Sequence, residues 1–378
     1  MDDPVNTVER IIELFAIPAT GLQIRPFGQG LINTTYLVST ANRAAGDRSE
    51  GYILQRINPQ VFPRPRQIIE NMQTVLSHLN RKLQAQPADG GKKLLFPRLY
   101  PARDGNYFVT DSSGALWRLS EYLPDTVVFD TLDSPWLARE TGRILGRFHA
   151  LTHDLDPHRL HSTLPDFHVT PAYYRRYQAL SGTSPQTTDD QARQIDRCRA
   201  YINANERRLQ LLQNAIDSGE LPLRTIHGDP KLNNILFDKH SRQALSLIDL
   251  DTLGPGLIHY DLADCLRSCC NPAGESPQQP GAARFDLETM RLILEEYIKQ
   301  TRHFLSAEDY RYMADAVWLL PFELGLRFFT DHLENDRYFK TDHPGQNLQR
   351  ALVQFQLARD IEQKFSQIQA LISTMQAR

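Results

Sequence analysis

Thr225-Ile226-His227-Gly228-Asp229-Pro230-Lys231-Leu232-Asn233-Asn234 runs directly into Ile235-Leu236-Phe237, and beyond the turn-forming residues 238–243 come Leu245-Ser246-Leu247-Ile248 and Asp249. Two short apolar runs flanking a polar turn predict a β-hairpin. Such a hairpin brings Asp249 back beside Asn234. An Asn amide oxygen and an Asp carboxylate are hard oxygen donors suited to Mg²⁺, which takes few protein ligands and keeps its waters. Asp229 is spaced to face an acceptor hydroxyl and receive its proton, while Lys231 can reach a transferring phosphate as a point charge. His227 is expected to support the loop by hydrogen bonding. Taken singly, each residue has a plainer explanation: His-Gly-Asp-Pro is a good turn, Asn234 a turn residue, Asp249 a strand-end cap. Their joint spacing is what points to an active site. Asp251, Asp261 and Asp264 read as either a second metal contact or carboxylates that brace the loop, with bracing the better fit.

The run resembles the catalytic loop of the protein-kinase superfamily, His-Arg-Asp-x-Lys-x-x-Asn, with Gly228 in the arginine position. The His-Gly-Asp version, with Ile248-Asp249-Leu250-Asp251-Thr252 where protein kinases have Asp-Phe-Gly, resembles the aminoglycoside phosphotransferase and choline kinase branch, which acts on small molecules. The resemblance implies an α+β, bilobal protein-kinase-like fold. Its N-lobe would be a small antiparallel β-sheet with one main helix, and its larger C-lobe mostly helical around the catalytic hairpin. It also implies ATP as phosphoryl donor, Asp229 and Lys231 as catalytic residues, and Asn234 and Asp249 as Mg²⁺ ligands.

Within that branch the chain is similar to anomeric sugar kinases that phosphorylate the 1-hydroxyl of an N-acetylhexosamine, N-acetylglucosamine or N-acetylgalactosamine. The stretches that carry this are Ile53-Leu54-Gln55-Arg56-Ile57-Asn58 with Val61-Phe62, the segment around Asp249, Leu324-Gly325-Leu326-Arg327-Phe328, and Asp336-Arg337-Tyr338-Phe339-Lys340. The likeness implies that Arg327 and Tyr338 donate hydrogen bonds to the sugar beside Asp229 and that Phe339 offers it a ring face. A neutral sugar wants buried donors and a stacking surface, whereas a polycationic antibiotic wants an acidic cleft. The plainer reading pairs Arg327 with a helix carboxylate and packs Tyr338 and Phe339. Other acceptors, an amino alcohol or a hydroxylated amino acid, suit the same loop, and a catalytically silent nucleotide-binding module is the rival from another class.

The nucleotide side is read from weaker signals. Gly28-Gln29-Gly30 followed by Leu31-Ile32-Asn33-Thr34-Thr35 fits a β-turn-β loop whose backbone approaches phosphates, with Gly28, Gly30 and Thr34 as contacts, but it also fits an ordinary hairpin turn. Where kinases carry a phosphate-gripping lysine, this chain has Leu54-Gln55-Arg56, so Gln55 or Arg56 makes that contact or the phosphates are held differently. Glu70 is placed like the ion-pair partner of that lysine, or is a solvated helix residue. Glu121 and Leu123 fall where the superfamily connects its lobes and offers backbone groups to adenine.

The remaining pattern fits this plan. Apolar spacing predicts helices over Val5–Phe15 and Ile68–Leu83, and strands over Thr35–Val38, Tyr52–Gln55, Leu94–Phe96, Tyr107–Thr110 and Leu116–Ser120. The first domain is expected to end at the Glu121-Tyr122-Leu123-Pro124 break, giving a nucleotide-binding lobe over 1–123 and a catalytic and substrate-binding lobe over 124–378. Ser134-Pro135 is a helix start. Helices are expected near 285–301, 307–320 and 347–375, with the hairpin as the sole strand pair of this half.

The 378 residues, 41% hydrophobic and 23% charged, suffice for a substantial core, and a net charge of −3 argues against nucleic acid or anionic membrane as partner. No apolar run approaches a membrane span and the start is not leader-like, so a cytoplasmic location is expected. Cys198, Cys265, Cys269 and Cys270 read as buried apolar residues.

Overall fold

The computed structural model describes residues 4–18, 21–28, 32–40, 51–85, 94–180, 182, 188–274 and 280–377. Its N-terminal part comprises α1 (Pro4–Glu13), β1 (Leu22–Pro26), β2 (Thr34–Thr40), β3 (Tyr52–Arg56), α2 (Pro65–Ala85), β4 (Leu99–Tyr100), β5 (Val109–Thr110) and β6 (Leu116–Glu121). These strands form one antiparallel sheet in the order β1-β2-β3-β6-β4, with β5 also on β6. Leu94–Phe96, expected as a strand, is irregular chain, although the Leu95 N–H donates to the Leu245 carbonyl at 2.7 Å.

Side chains alternate across a strand, so each strand sorts its residues between two faces. Tyr52 and Leu54 of β3, and Trp117 and Leu119 of β6, face α1 and pack with Val8, Ile11, Ile12 and Phe15. Gln55 and Arg118, paired across the strands, therefore lie on the other face with α2. There Ile68, Ile69, Met72, Val75 and Leu76 of α2 join the main core.

The larger part is mostly helical: β7 (Thr126–Val127), α3 (Pro135–Thr152), α4 (Thr170–Ala179), α5 (Asp189–Asn205), α6 (Leu211–Asp217), β8 (Arg224–Ile226), β9 (Ile235–Asp238), β10 (Ala244–Leu247), β11 (Gly254–Gly256), α7 (Ile258–Cys269), α8 (Leu287–Thr301), α9 (Ala307–Leu333), α10 (Gln346–Gln363) and α11 (Phe365–Gln376). Ser134 caps α3 by accepting from the Leu137 N–H at 3.3 Å, ahead of Pro135. A Cβ on Gly142 would lie 2.1 Å from the Ile293 carbonyl oxygen, so glycine lets α3 press its backbone onto α8. The expected hairpin is β9–β10, but it has company: β7 pairs with β9, and β11 pairs with β8. The helix expected over 347–375 breaks at Lys364, and α9 continues through Pro321 to Leu333. The four cysteines are buried and free, and no helix among the described residues is long and apolar enough to cross a membrane.

One buried ion pair ties the long helix to the strand that leads into segment 227–234. Arg224 donates from both terminal nitrogens to Asp309 at 2.9 and 2.8 Å, and Asp309 completes a capping box with Ser306 at the start of α9. Burial alone would raise the Asp309 carboxyl, but the Arg224 hydrogen bonds and the Ser306 N–H outweigh it and hold the pKa below its ordinary value. A depressed carboxylate contributes stability that is complete above its unfolded value, about 4, and is lost as pH falls through the folded value. Thermal unfolding followed by circular dichroism should therefore show Tm dropping as pH falls below the unfolded value of about 4. Asp309→Asn should cost roughly 3 kcal/mol at neutral pH and flatten that drop. An unchanged acid limb in the variant would refute the assignment.

Candidate active site

Four backbone segments converge around Asp229. β8 delivers the chain to His227, and Asp261, near the start of α7, receives the N–H groups of His227 and Gly228 at 2.7 and 2.8 Å and pairs with His149 at 3.0 Å. Burial would raise the Asp261 carboxyl, yet His149 and the loop amide of His227 hold it low, so it stands as a charged brace beneath the loop. His227 Nε2 lies 2.9 Å from the Ile248 carbonyl, and its Nδ1 accepts from the Asp229 N–H at 3.3 Å. Desolvation lowers the His227 pKa, and the neutral ring with Nε2 protonated fits both contacts. His227 thus supports the loop, as expected.

Gly228 has φ +87°, and a Cβ there would lie 2.7 Å from the Thr252 carbonyl oxygen. Arginine does not fit this position. Asp229 Oδ2 accepts from Lys231 Nζ at 2.7 Å and from Asn234 Nδ2 at 3.1 Å, and Asn234 Nδ2 also donates to the Asp229 carbonyl at 2.8 Å. The Ile248 N–H donates to the Asn234 carbonyl at 2.9 Å, which brings Asp249 alongside. Asp249 is left-handed, φ 62°, a conformation Asp tolerates better than most residues and one that turns the chain at the end of the hairpin.

Desolvation, then the Asp251 and Asp229 carboxylates, push the Asp249 carboxyl up to about 7. Its side chain also opens to solvent, with the Asp251 and Asp229 carboxylates crowding it from the protein side. Crowded carboxylates beside an amide fit a hard divalent ion. Among the described residues no group of three acidic, His or Cys side chains could hold a metal ion by itself.

On the nucleotide side the expectations fare unevenly. Gly28 has φ +74° with open space around it, Thr34 is exposed at the start of β2, and Gly30 lies outside the described residues. Arg56, expected as a phosphate contact, turns to the opposite face of the sheet from Gln55, where it meets Asp111 at 3.4 Å and Ser113 at 3.2 Å. Gln55 bridges Thr35 Oγ1 at 3.2 Å and the Arg118 guanidinium at 2.8 and 3.1 Å. Glu70 pairs with His161 at 2.9 Å on the surface, so it has no partner on β3. The Glu121 N–H donates to the Arg98 carbonyl at 2.8 Å, and Thr126 Oγ1 donates to the Leu123 carbonyl at 2.8 Å, which fixes the connection after β6. Sequence reading missed Arg118. It carried one signal, a charged residue alternating with the apolar Trp117 and Leu119.

A sequence model described as the phosphotransferase enzyme family matches residues 23–293, more than two thirds of the chain. The chain belongs to that family. Its fold is that of solved family-like structures at low identity. An aminoglycoside phosphotransferase from Alicyclobacillus acidocaldarius subsp. acidocaldarius aligns with TM-score 0.60 and 15% identity, over 97% of this chain and 96% of that one. A microcompartment-associated aminopropanol kinase aligns at 0.58 and 16%, over 96% and 98%. Choline kinase from Cryptosporidium parvum Iowa II aligns at 0.56 and 11%, over 96% and 95%. The bilobal, kinase-like α+β architecture is therefore that of this chain, and phosphotransfer is the activity its family is named for.

This phosphotransferase-family chain has a cavity of about 690 Å³, counted with its open mouth and lined by Phe167, Tyr173, Arg327, Asp331, Tyr338 and Phe339 among others. The Arg327 guanidinium lies 5.5 Å from the Phe167 ring centre, 5.1 Å from Tyr173 and 5.5 Å from Phe339. Among the described residues nothing hydrogen-bonds it. Asp331 accepts the N–H groups of Arg337, Tyr338 and Phe339 at 3.0, 2.7 and 2.9 Å and the Asn347 amide at 2.9 Å, so its carboxylate is saturated from within. Buried His168 links this wall to the loop, with Nε2 3.0 Å from the Gly228 carbonyl and Nδ1 2.9 Å from Glu323, one turn before Arg327 on α9.

Proposed function

We propose that the protein is a Mg²⁺-dependent small-molecule kinase that transfers the γ-phosphate of ATP to a sugar hydroxyl, the anomeric 1-hydroxyl of an N-acetylhexosamine. The observation that carries the acceptor class is the caged Arg327. Aromatic faces that could cradle a substrate ammonium already surround the protein's own guanidinium. The pocket carboxylate Asp331 has its lone pairs engaged by the protein. A cationic amino alcohol or aminoglycoside meets repulsion here, whereas a neutral sugar offers Arg327 oxygen acceptors and lays a ring face on Phe339.

In this reading residues 1–123 hold the nucleotide, with Gly28, Gly30 and Thr34 near the phosphates and the Glu121 and Leu123 backbone near adenine. Residues 124–378 hold the acceptor and the catalytic loop. Asp229 orients the attacking hydroxyl and takes its proton as the new O–P bond forms and the bond to the β-phosphate oxygen breaks. Lys231 offsets charge on the transferring group, and Tyr338 closes over the sugar. Asn234 and Asp249 would hold Mg²⁺, which when bound neutralises phosphate charge. The rival of another alcohol acceptor draws on the aminopropanol kinase and choline kinase likenesses in fold.

ADP release is to be measured with Mg²⁺ and ATP across N-acetylhexosamines, plain hexoses, choline, aminopropanol and aminoglycosides. Turnover confined to N-acetylhexosamines, yielding an acid-labile phosphate, is the expected result. Preferential turnover of a cationic alcohol would overturn the sugar assignment and leave the kinase assignment standing.

A further inference from the structure

The β3 position that carries lysine in kinases holds Gln55, and Arg56 faces away from it, so the question is what organises the inner end of the nucleotide site. Arg118 reaches there from the neighbouring strand. Its side chain is 2% exposed and pairs with Asp251, itself 3% exposed, two residues after Asp249. Its Nε and second terminal nitrogen hold Gln55 Oε1 at 3.1 and 2.8 Å, and its first terminal nitrogen also meets Met72 Sδ of α2 at 3.2 Å. Asp251 in turn accepts from the Asn33 side chain, just before β2, and Asn33 Oδ1 accepts the Asn58 N–H at 3.0 Å. The Asp251 backbone carbonyl accepts from Thr163 at 2.9 Å.

We infer that Arg118 is the positioning residue that replaces the β3 lysine: through Asp251 it fixes the Asp249 turn and Asn33, just before β2, to the sheet. A planar, permanently charged fork suits this role better than lysine would from β6, because one group must satisfy a carboxylate, an amide oxygen and a thioether together. Gln55 follows from the same geometry. A lysine there would place a second cation against Arg118, whereas an amide accepts from Arg118 and donates to Thr35. In this arrangement Glu70 has no cation to receive, which accounts for its turning to His161. The inference rests on the kinase reading for its consequences but not on the acceptor's identity.

The test uses the full chain, with a fluorescent ADP analogue titrated with and without Mg²⁺ alongside steady-state turnover. Arg118→Met leaves Asp251 buried and unpaired, so the companion variant is Arg118→Met with Asp251→Asn, which removes both charges. Both are checked by thermal unfolding. The double variant should stay folded, lose the Mg²⁺-dependent gain in ADP affinity, and lose about 100-fold in kcat. Adding Gln55→Lys to Arg118→Met, which returns a cation to β3 beside the position Arg118 held, should recover about tenfold of the kcat that Arg118→Met alone loses. A folded double variant with wild-type Mg²⁺-dependent ADP binding overturns the inference. So does a folded Gln55→Lys/Arg118→Met that gains nothing. If the double variant unfolds, Arg118→Lys decides: unchanged binding and turnover overturn the role, and loss of the Mg²⁺ gain with Tm retained supports it. Wild-type protein that binds ADP but turns over no acceptor would sink the kinase reading alone, and failure to bind ADP would sink both.

Discussion

Asp229→Asn is expected to lower kcat by about 10²–10⁴-fold while leaving nucleotide affinity unchanged within error. The substitution is close to isosteric, and the loop that presents it hangs on other groups: Asp261 beneath His227 and Gly228, and His227 on Ile248. Asparagine can still accept a hydrogen bond from Lys231 but cannot take a proton from the acceptor. Stopped-flow or coupled ADP assays with the best acceptor, beside a binding titration, separate the two roles. Retained nucleotide binding with lost turnover eliminates the silent-module reading. Retained turnover would mean that the acceptor proton does not pass to Asp229.

Arg327→Met should raise KM for the acceptor by about 10- to 100-fold with little change in nucleotide affinity, the loss expected for one or two charge-assisted hydrogen bonds. Methionine keeps the cage filled, so Phe167, Tyr173 and Phe339 retain a packing partner. Removing a partly buried cation that no described residue hydrogen-bonds should leave Tm unchanged or higher. Cationic alcohols, repelled in the wild type, should improve as substrates. An unaltered acceptor KM would reduce Arg327 to packing and withdraw the support it gives to a sugar.

What could be read beforehand was whatever the chain encodes locally. His227 to Asp249 forms its own hairpin, and the spacing of Asp229, Lys231, Asn234 and Asp249 is a local fact. The Arg118–Asp251 pair is the opposite case: it joins residues distant in sequence, and no period or turn signal points from one to the other. Alternation did contain part of the answer. Leu54 faces the α1 core, so Gln55 turns to the α2 face and Arg56 returns to the α1 face, and strand alternation alone says that Gln55 and Arg56 cannot share a face. Leu94–Phe96 read as a strand because its three residues are apolar. They are apolar because two of them are buried in irregular chain, a distinction composition does not carry. The break at Lys364 was likewise invisible, since apolar spacing continues into α11.

The Asp331 carboxylate has a consequence for how this protein can change over time. Three successive amides from Arg337 to Phe339 and the Asn347 side chain all end on it, with Asn335 and Asp336 left-handed just before, so the wall's course is set by main-chain bonds. The identity of position 338, an exposed tyrosine, is therefore decoupled from the loop's shape. Heredity can rewrite this letter of the cavity's lining without redrafting the scaffold that displays it, and under the proposed sugar reading directed evolution of acceptor choice has its natural starting point there.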